Sequence, residues 1–191
     1  MISAKKVSAV TLDKSEASVI TEASVKLNAE VSPQDAENKQ LIWTSSDQSV
    51  ATVDQDGTVH ALRYGKAVIT AAAADGGGAS ASCTISTRFY DVSGSNVRGE
   101  ADYQYYYDPV YWAAENGITQ GYDRVYFGPE RNCERRELMI FLWRMAGSPD
   151  SSLDPSETFT DMGAYAASSA TFKAVAWGVE KGITKGYSDH T

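Results

Sequence analysis

Among the side chains able to do chemistry, aromatic rings stand out. Trp112 and Trp177 offer the flat faces that stack on sugar rings, yet each lies at helical spacing beside a valine, Val110 and Val175. That pattern predicts core packing first and a sugar platform second. Tyr103, Tyr105, Tyr106, Tyr107 and Tyr111 crowd one short stretch, where packing over a loop is the expected role and stacking on carbohydrate the alternative. Asp54 and Asp56 ahead of Gly57 faintly suggest a calcium loop, but the rest of that spacing is missing and a hairpin accounts for them. The two histidines, His60 and His190, fall in a predicted strand and at the chain end, so no His/Cys cluster has metal-ligand spacing. No glycine loop leads into a helix in phosphate-binding fashion, and no nucleophile–base set is visible. The expectation is therefore no catalytic residue, no cofactor and no metal. Cys83 and Cys133 lie in different predicted domains and read as free thiols rather than a bridge.

Composition narrows the class. A chain of 191 residues with 42% hydrophobic content can bury two small cores. The net charge is −8, and both parts are acidic: residues 1–87 carry 7 basic and 10 acidic side chains, residues 88–191 carry 10 and 15. Nucleic acid is not an expected partner, because phosphate binding needs a basic face. No apolar run reaches 18 residues, so no membrane span is predicted. Residues 1–20 lack the continuous apolar core of a signal peptide, which suits either a protein that is not exported or a piece of a longer exported one.

An internal repeat dominates the second half. Pro109 to Tyr122 aligns with Ala174 to Tyr187 at a constant offset of 65, with eight identities in fourteen positions: Val110, Trp112, Glu115, Gly117, Ile118, Thr119, Gly121 and Tyr122. A repeated unit of this size is expected to bury its apolar face against a sister copy. Asp108 suits an N-cap and Pro109 the first helical position, and the helix should run to Gly117, which can adopt the left-handed conformation past a helix end. After the Gly128-Pro129 turn a second helix is predicted over Arg135 to Met145. Leu138, Phe141, Leu142 and Met145 form its buried stripe, and Gly147 stops it. Glu134 is a poor cap, so Asn132 is expected to take over and shift the start. Ser148 to Thr158 is a linker. Phe159-Thr160-Asp161-Met162 restarts the unit, and its helix spans Ser169 to Lys181, stopped by Gly182, with Val175 and Val179 facing the 138–145 helix.

The first half reads as all-β. Residues 1–6 are polar and aperiodic, a linker end. Seven strands are predicted near Val7–Leu12, Ser24–Val31, Leu41–Ser45, Ala51–Val53, Thr58–Ala61, Lys66–Ala73 and Ala79–Ser86, the scale of a sandwich. Val25, Leu27, Ala29 and Val31 alternate with Lys26, Asn28 and Glu30, which puts one face in a core. Trp43 is the predicted central aromatic. Asp56-Gly57 is read as a hairpin turn with both central residues at positive φ, and Asp75-Gly76-Gly77-Gly78 links the last two strands.

These residues resemble two families. Val10-Thr11-Leu12, Leu27 to Pro33, Trp43 to Asp47, Val50 to Val53, Gly57-Thr58-Val59, Gly65-Lys66-Ala67 and Cys83-Thr84-Ile85 resemble the second group of bacterial immunoglobulin-like domains, usually extracellular spacers or adhesive repeats. Phe89-Tyr90-Asp91-Val92, Trp112-Ala113, Gly117 to Tyr122, Phe127-Gly128-Pro129 and the Arg135 to Glu137 helix start resemble S-layer homology modules, which hold bacterial surface proteins to the cell wall. The resemblance implies a multidomain chain: an all-β Ig-like sandwich over 1–87, then mainly α helix-loop-helix modules over 88–147 and 148–191, the second incomplete. It implies an extracellular, cell-wall location and favours a piece of an exported protein lacking its signal peptide.

The resemblance also implies a site. Arg135 matches the arginine that in the family grips a negatively charged, often pyruvylated, secondary cell-wall polysaccharide; a guanidinium fork suits a carboxylate, and helix-start N–H groups aim at the same anion. Arg136, in place of an alanine, and the aromatics Trp112 and Tyr122 complete the candidate set, with Tyr187 the counterpart of Tyr122. Glu134, in place of a threonine, could compete with the anion. Arg135 pairing only with a nearby carboxylate is the competing reading of that residue. For the chain, the alternative to wall anchoring is protein–protein adhesion or assembly, with self-association through the incomplete module.

Overall fold

A computed structural model of the chain describes residues 5–187; His190 lies outside them. The chain divides into two compact units, residues 1–107 with 120–129, and residues 108–119 with 130–191.

The first unit is built on a β-sandwich of nine strands: β1 Ala9–Leu12, β2 Glu16–Ile20, β3 Ser24–Lys26, β4 Ala29–Ser32, β5 Leu41–Ser45, β6 Ala51–Val53, β7 Thr58–Ala61, β8 Gly65–Ala73 and β9 Ser80–Arg88. The four-stranded sheet runs β2-β9-β8-β5, a second sheet β3-β7-β6, and β1 pairs with β4. Two features depart from the seven-strand expectation. Glu16–Ile20 is a strand, because it pairs in parallel with β9 from Glu16↔Thr84 to Ile20↔Arg88 and buries Val19. Ser24–Val31 breaks in two, because β3 pairs with β7 while β4 pairs with β1. At the break Leu27 donates its N–H to the Gly57 carbonyl and Asn28 donates to Asp13, so the backbone groups stay satisfied while the strand changes sheet.

The predicted alternation survives the break: Leu27 is buried, Val25, Ala29 and Val31 are half-buried, and Lys26, Asn28 and Glu30 face water. Trp43 is in the core with Ile69, Ile85 and Val59. The β6–β7 hairpin differs from the expected turn in that only Gly57 has positive φ, +86°, and the loop closes by Gly57 N–H to the Asp54 carbonyl. A Cβ at Gly57 would stand 2.6 Å from the Leu27 carbonyl and 2.8 Å from the Trp43 ring, so glycine is required there by space as well as by φ.

Beyond β9 the unit closes around Phe89 and Val92, both fully buried. Phe89 stacks on Tyr64 at 4.4 Å and meets Phe127 at 5.6 Å. Asp91 accepts the N–H groups of Phe127 and Gly128, each at 2.8 Å. The Gln120–Pro129 segment is tied further by Tyr64 N–H to the Arg124 carbonyl and Thr21 hydroxyl to the Val125 carbonyl.

The second unit holds α1 Tyr107–Glu115 from its second residue on, α2 Arg135–Met145 and α3 Ala170–Glu180, with short 3-10 turns at Pro155–Glu157 and Met162–Ala164. Helix α1 begins one residue before the expected N-cap, so Asp108 and Pro109 lie inside its first turn; the proline still loses no bond there, since first-turn N–H groups have no helical acceptor. The repeat closes both of its helices alike. Ile118 N–H reaches the Ala113 carbonyl at 2.9 Å and Ile183 N–H the Gly178 carbonyl at 2.8 Å, with Gly117 at φ +70° and Gly182 at +68°. That is the Schellman closure at offset 65.

The expected stripe on α2 is corrected. Leu138 and Met145 are 51% and 60% exposed, whereas Met139 and Trp143 are buried against Ala174 and Trp177 of α3. Residues 138–143 are apolar throughout, so periodicity fits more than one face; the face chosen is the one where Met139 meets the bare backbone of Gly178 and Trp143 Nε1 can donate to the Pro149 carbonyl. The α2–α3 pairing matches expectation, but Ala174, Trp177 and Gly178 form the α3 face, with Val175 and Val179 half-buried at its flank.

Candidate functional site

A cleft of about 800 Å³ opens in the second unit between the start of α2, the flank of α3 and the turn after α3. Its volume falls within the range of ligand-binding clefts. Helix α2 begins at Arg135, so the expected shift to Asn132 does not occur. Glu134 is the N-cap, and its N–H donates to the Glu137 carboxylate at 2.9 Å, which offsets the absence of a threonine.

This start fixes two guanidinium groups with different surroundings. Arg135 lies over the Tyr187 ring, 4.0 Å from its centroid, and donates from Nη2 to the Thr184 hydroxyl at 3.5 Å. A cation over an aromatic face is held without losing its charge, so its remaining donors stay available. Among the described residues Arg135 makes no ion pair. Arg136 instead donates to Glu134 at 2.5 Å and to the Tyr165 hydroxyl at 3.0 Å, and these two partners push its pKa further up. The acid expected to compete for Arg135 is thus engaged by its neighbour.

The other candidates fall elsewhere. Tyr122 belongs to the first unit, is 65% exposed, and donates its N–H to the Tyr126 carbonyl. Trp112 is 55% exposed on α1, against the expectation of core packing, while Trp177 is 8% exposed and packed on α2. The same residue in the two copies differs because only α3 is paired with α2. The tyrosine stretch is mixed: Tyr103 forms a bridge with Ser95 across the loop, and Tyr105, 77% exposed, meets Tyr106 edge-on at 5.1 Å. The cleft therefore brings Arg135 and Arg136 together and adds Tyr187, Thr184 and Tyr165. Thr184 was findable, since it sits in the repeated Gly-Ile-Thr; Tyr165 carries no sequence signal.

Sequence reasoning also missed a string in the sandwich, where His60 bonds the Ser24 hydroxyl at 2.8 Å and Asp54 at 2.9 Å. Both His60 and Asp54 side chains are well exposed, and the string joins β3 to β7 and the β6–β7 turn. Cys83 is buried and Cys133 exposed, both as free thiols; burial raises the Cys83 pKa.

Residues 6–85 match the family described as bacterial Ig-like domain (group 2), and residues 100–139 and 158–191 match the S-layer homology domain. The chain is 45% identical over 78 residues to an uncharacterized protein of Clostridium acetobutylicum, a match covering 41% of this chain and 8% of that one. It is 49% identical over 59 residues to an alpha-L-arabinofuranosidase of Bifidobacterium longum, covering 31% of this chain and 6% of the relative. The chain spans less than a fifth of the length of the curated relatives it matches. Among solved structures, domains 4 and 5 of the S-layer protein SbsC align over 42% of this chain and 51% of theirs, with 16% identity and a TM-score of 0.37.

Proposed function

We propose, for a chain that joins a bacterial Ig-like domain of group 2 to S-layer homology segments, that it attaches a secreted protein non-covalently to the cell surface through a wall polysaccharide. Arg135 is the anion grip and the Ig-like domain the spacer. The observation that carries this is the state of Arg135: it sits at the first residue of α2 in an open cleft, braced by Tyr187 and Thr184 and making no ion pair among the described residues. A guanidinium held on a ring keeps its charge, and the donors that Thr184 does not take can meet a carboxylate such as a pyruvyl substituent, while the first-turn N–H groups of α2 add to the field there. Arg136, fixed by Glu134 and Tyr165, shapes the rim, and exposed Trp112 and Tyr122 offer ring faces to sugar. The modules are taken as 88–147 and 148–191.

Sedimentation with purified cell walls tests this reading. The chain is expected in the pellet, Arg135→Ala in the supernatant, and removal of pyruvyl groups from the walls is expected to release the chain as well. Undiminished pelleting of Arg135→Ala would remove that residue from the grip. A second reading, self-association, is favoured by Leu138 and Met145, apolar and more than half exposed on α2. Sedimentation velocity decides it: a monomer at every concentration rules it out.

A further inference from the structure

The first unit carries an aromatic surface that the Arg135 cleft does not include. The Tyr90 and Tyr126 rings meet at 5.4 Å with their planes 56° apart, and Tyr90 is half exposed. The backbone that carries them is fixed. Tyr90 donates its N–H to the Val125 carbonyl at 2.9 Å, and Tyr122 donates to the Tyr126 carbonyl at 2.8 Å. The Asp123 carboxylate accepts the N–H groups of Val125 and Tyr126 at 2.9 and 2.8 Å. All of these residues belong to the first unit. In the second copy of the motif Thr160 stands at the place of Tyr90, so the repeat itself does not call for a ring there.

Glu22 adds a charge beside the rings. It is exposed and has φ +68°, a conformation that glycine adopts freely and glutamate only with strain. Its N–H donates to the Ala61 carbonyl at 2.8 Å, and its carboxylate accepts from the Tyr126 hydroxyl at 3.4 Å. Desolvation and, after it, Glu22 push the Tyr126 pKa up, so the hydroxyl keeps its proton at neutral pH and acts as the donor. A carboxylate is thereby set at the edge of an open ring pair.

We propose that Tyr90, Tyr126 and Glu22 form a subsite for an uncharged sugar ring of a polysaccharide, separate from the Arg135 anion grip. A pyranose presents a C–H face and a rim of hydroxyls. The ring pair supplies an apolar face, and Glu22 accepts from the hydroxyls through charge-assisted bonds. Glu22 and Asp123, both exposed carboxylates, repel an anionic sugar. Rings that lie open at the surface suit a flat sugar better than an inserted side chain. This subsite does not rest on the anchoring reading.

The test titrates cellotetraose and N-acetylchitotetraose into the full chain, followed by calorimetry and by the NMR signals of the tyrosine rings. Saturable binding of at least one is expected, with a Kd on the order of 1 mM and shifts at Tyr90 and Tyr126. Tyr90→Thr, which copies the second motif, is expected to weaken binding by about tenfold or more, and Glu22→Gln by about threefold to tenfold. Unchanged urea midpoints check that both variants keep the fold, and Arg135→Ala should bind as the native chain does. No saturation by either oligosaccharide up to about 10 mM, undiminished binding by Tyr90→Thr, or tighter binding of trigalacturonate or choline at the same rings would each overturn the proposal. A chain that pellets with walls but takes up neither oligosaccharide sinks this proposal alone; the reverse outcome sinks only the anchor reading.

Discussion

Arg135 and Arg136 are adjacent and chemically alike, yet the fold gives them separate jobs. Arg136 is engaged by Glu134 and Tyr165, while Arg135, which lines the cleft, rests on Tyr187, donates to Thr184 and makes no ion pair among the described residues. A lysine at 135 would keep the charge but lose the planar, bidentate geometry. Arg135→Lys is therefore expected to bind walls more weakly than the native chain and more tightly than Arg135→Ala, read as the fraction pelleted across a wall titration; equal binding by lysine would mean that charge alone matters. Asp91 shows the structural counterpart. It accepts two amides on one carboxylate, so Asp91→Ala should cost about 2–3 kcal/mol, measured by urea unfolding. Arg135's place at a helix start was legible from the sequence because helix starts follow local rules. Its partners were not, because Tyr187 lies 52 positions away and Tyr165 has no repeat or motif to mark it.

At the scale of elements, the 65-residue offset identified two helices ended by glycine, and the matching closures at Gly117 and Gly182 agree with it. Which face each helix buries was less legible. Six successive apolar residues on α2 fit several stripes, and only the smooth patch at Gly178 selects Met139 and Trp143. The sandwich shows the same limit: Glu16–Ile20 became a strand through a parallel pairing with residues some 68 positions on, which local alternation cannot reveal. The two tryptophans make the contrast measurable. Trp177→Ala should cost about 3–5 kcal/mol, as for a large core ring, whereas Trp112→Ala should change stability by no more than about 0.5 kcal/mol. Glycine positions differ in kind as well. Gly182→Ala meets open space and should cost about 1–2 kcal/mol for its left-handed backbone, while Gly57→Ala also strikes the Leu27 carbonyl and should cost more, both by urea unfolding.

For the whole molecule, acid should loosen the sandwich before neutral pH does. The Asp75 carboxylate is held below its usual range by the Val7 N–H and then the Gly77 N–H; Asp56 is lowered first by Lys26, and Asp13 first by Lys14 and then by Asn28. A carboxylate whose folded pKa is depressed stabilises the fold fully above its unfolded value of about 3.9, and that stability is lost as pH falls toward the folded value. Unfolding midpoints should hold steady above about pH 4 and drop below it, with a shallower drop in Asp75→Asn. The proposed anchoring requires a partner in the wall itself. The most direct measurement compares pelleting of the chain with intact purified walls and with walls stripped of their secondary polysaccharide. Retention on intact walls and release from stripped ones is the predicted result; equal retention on both, or none on either, would contradict the account.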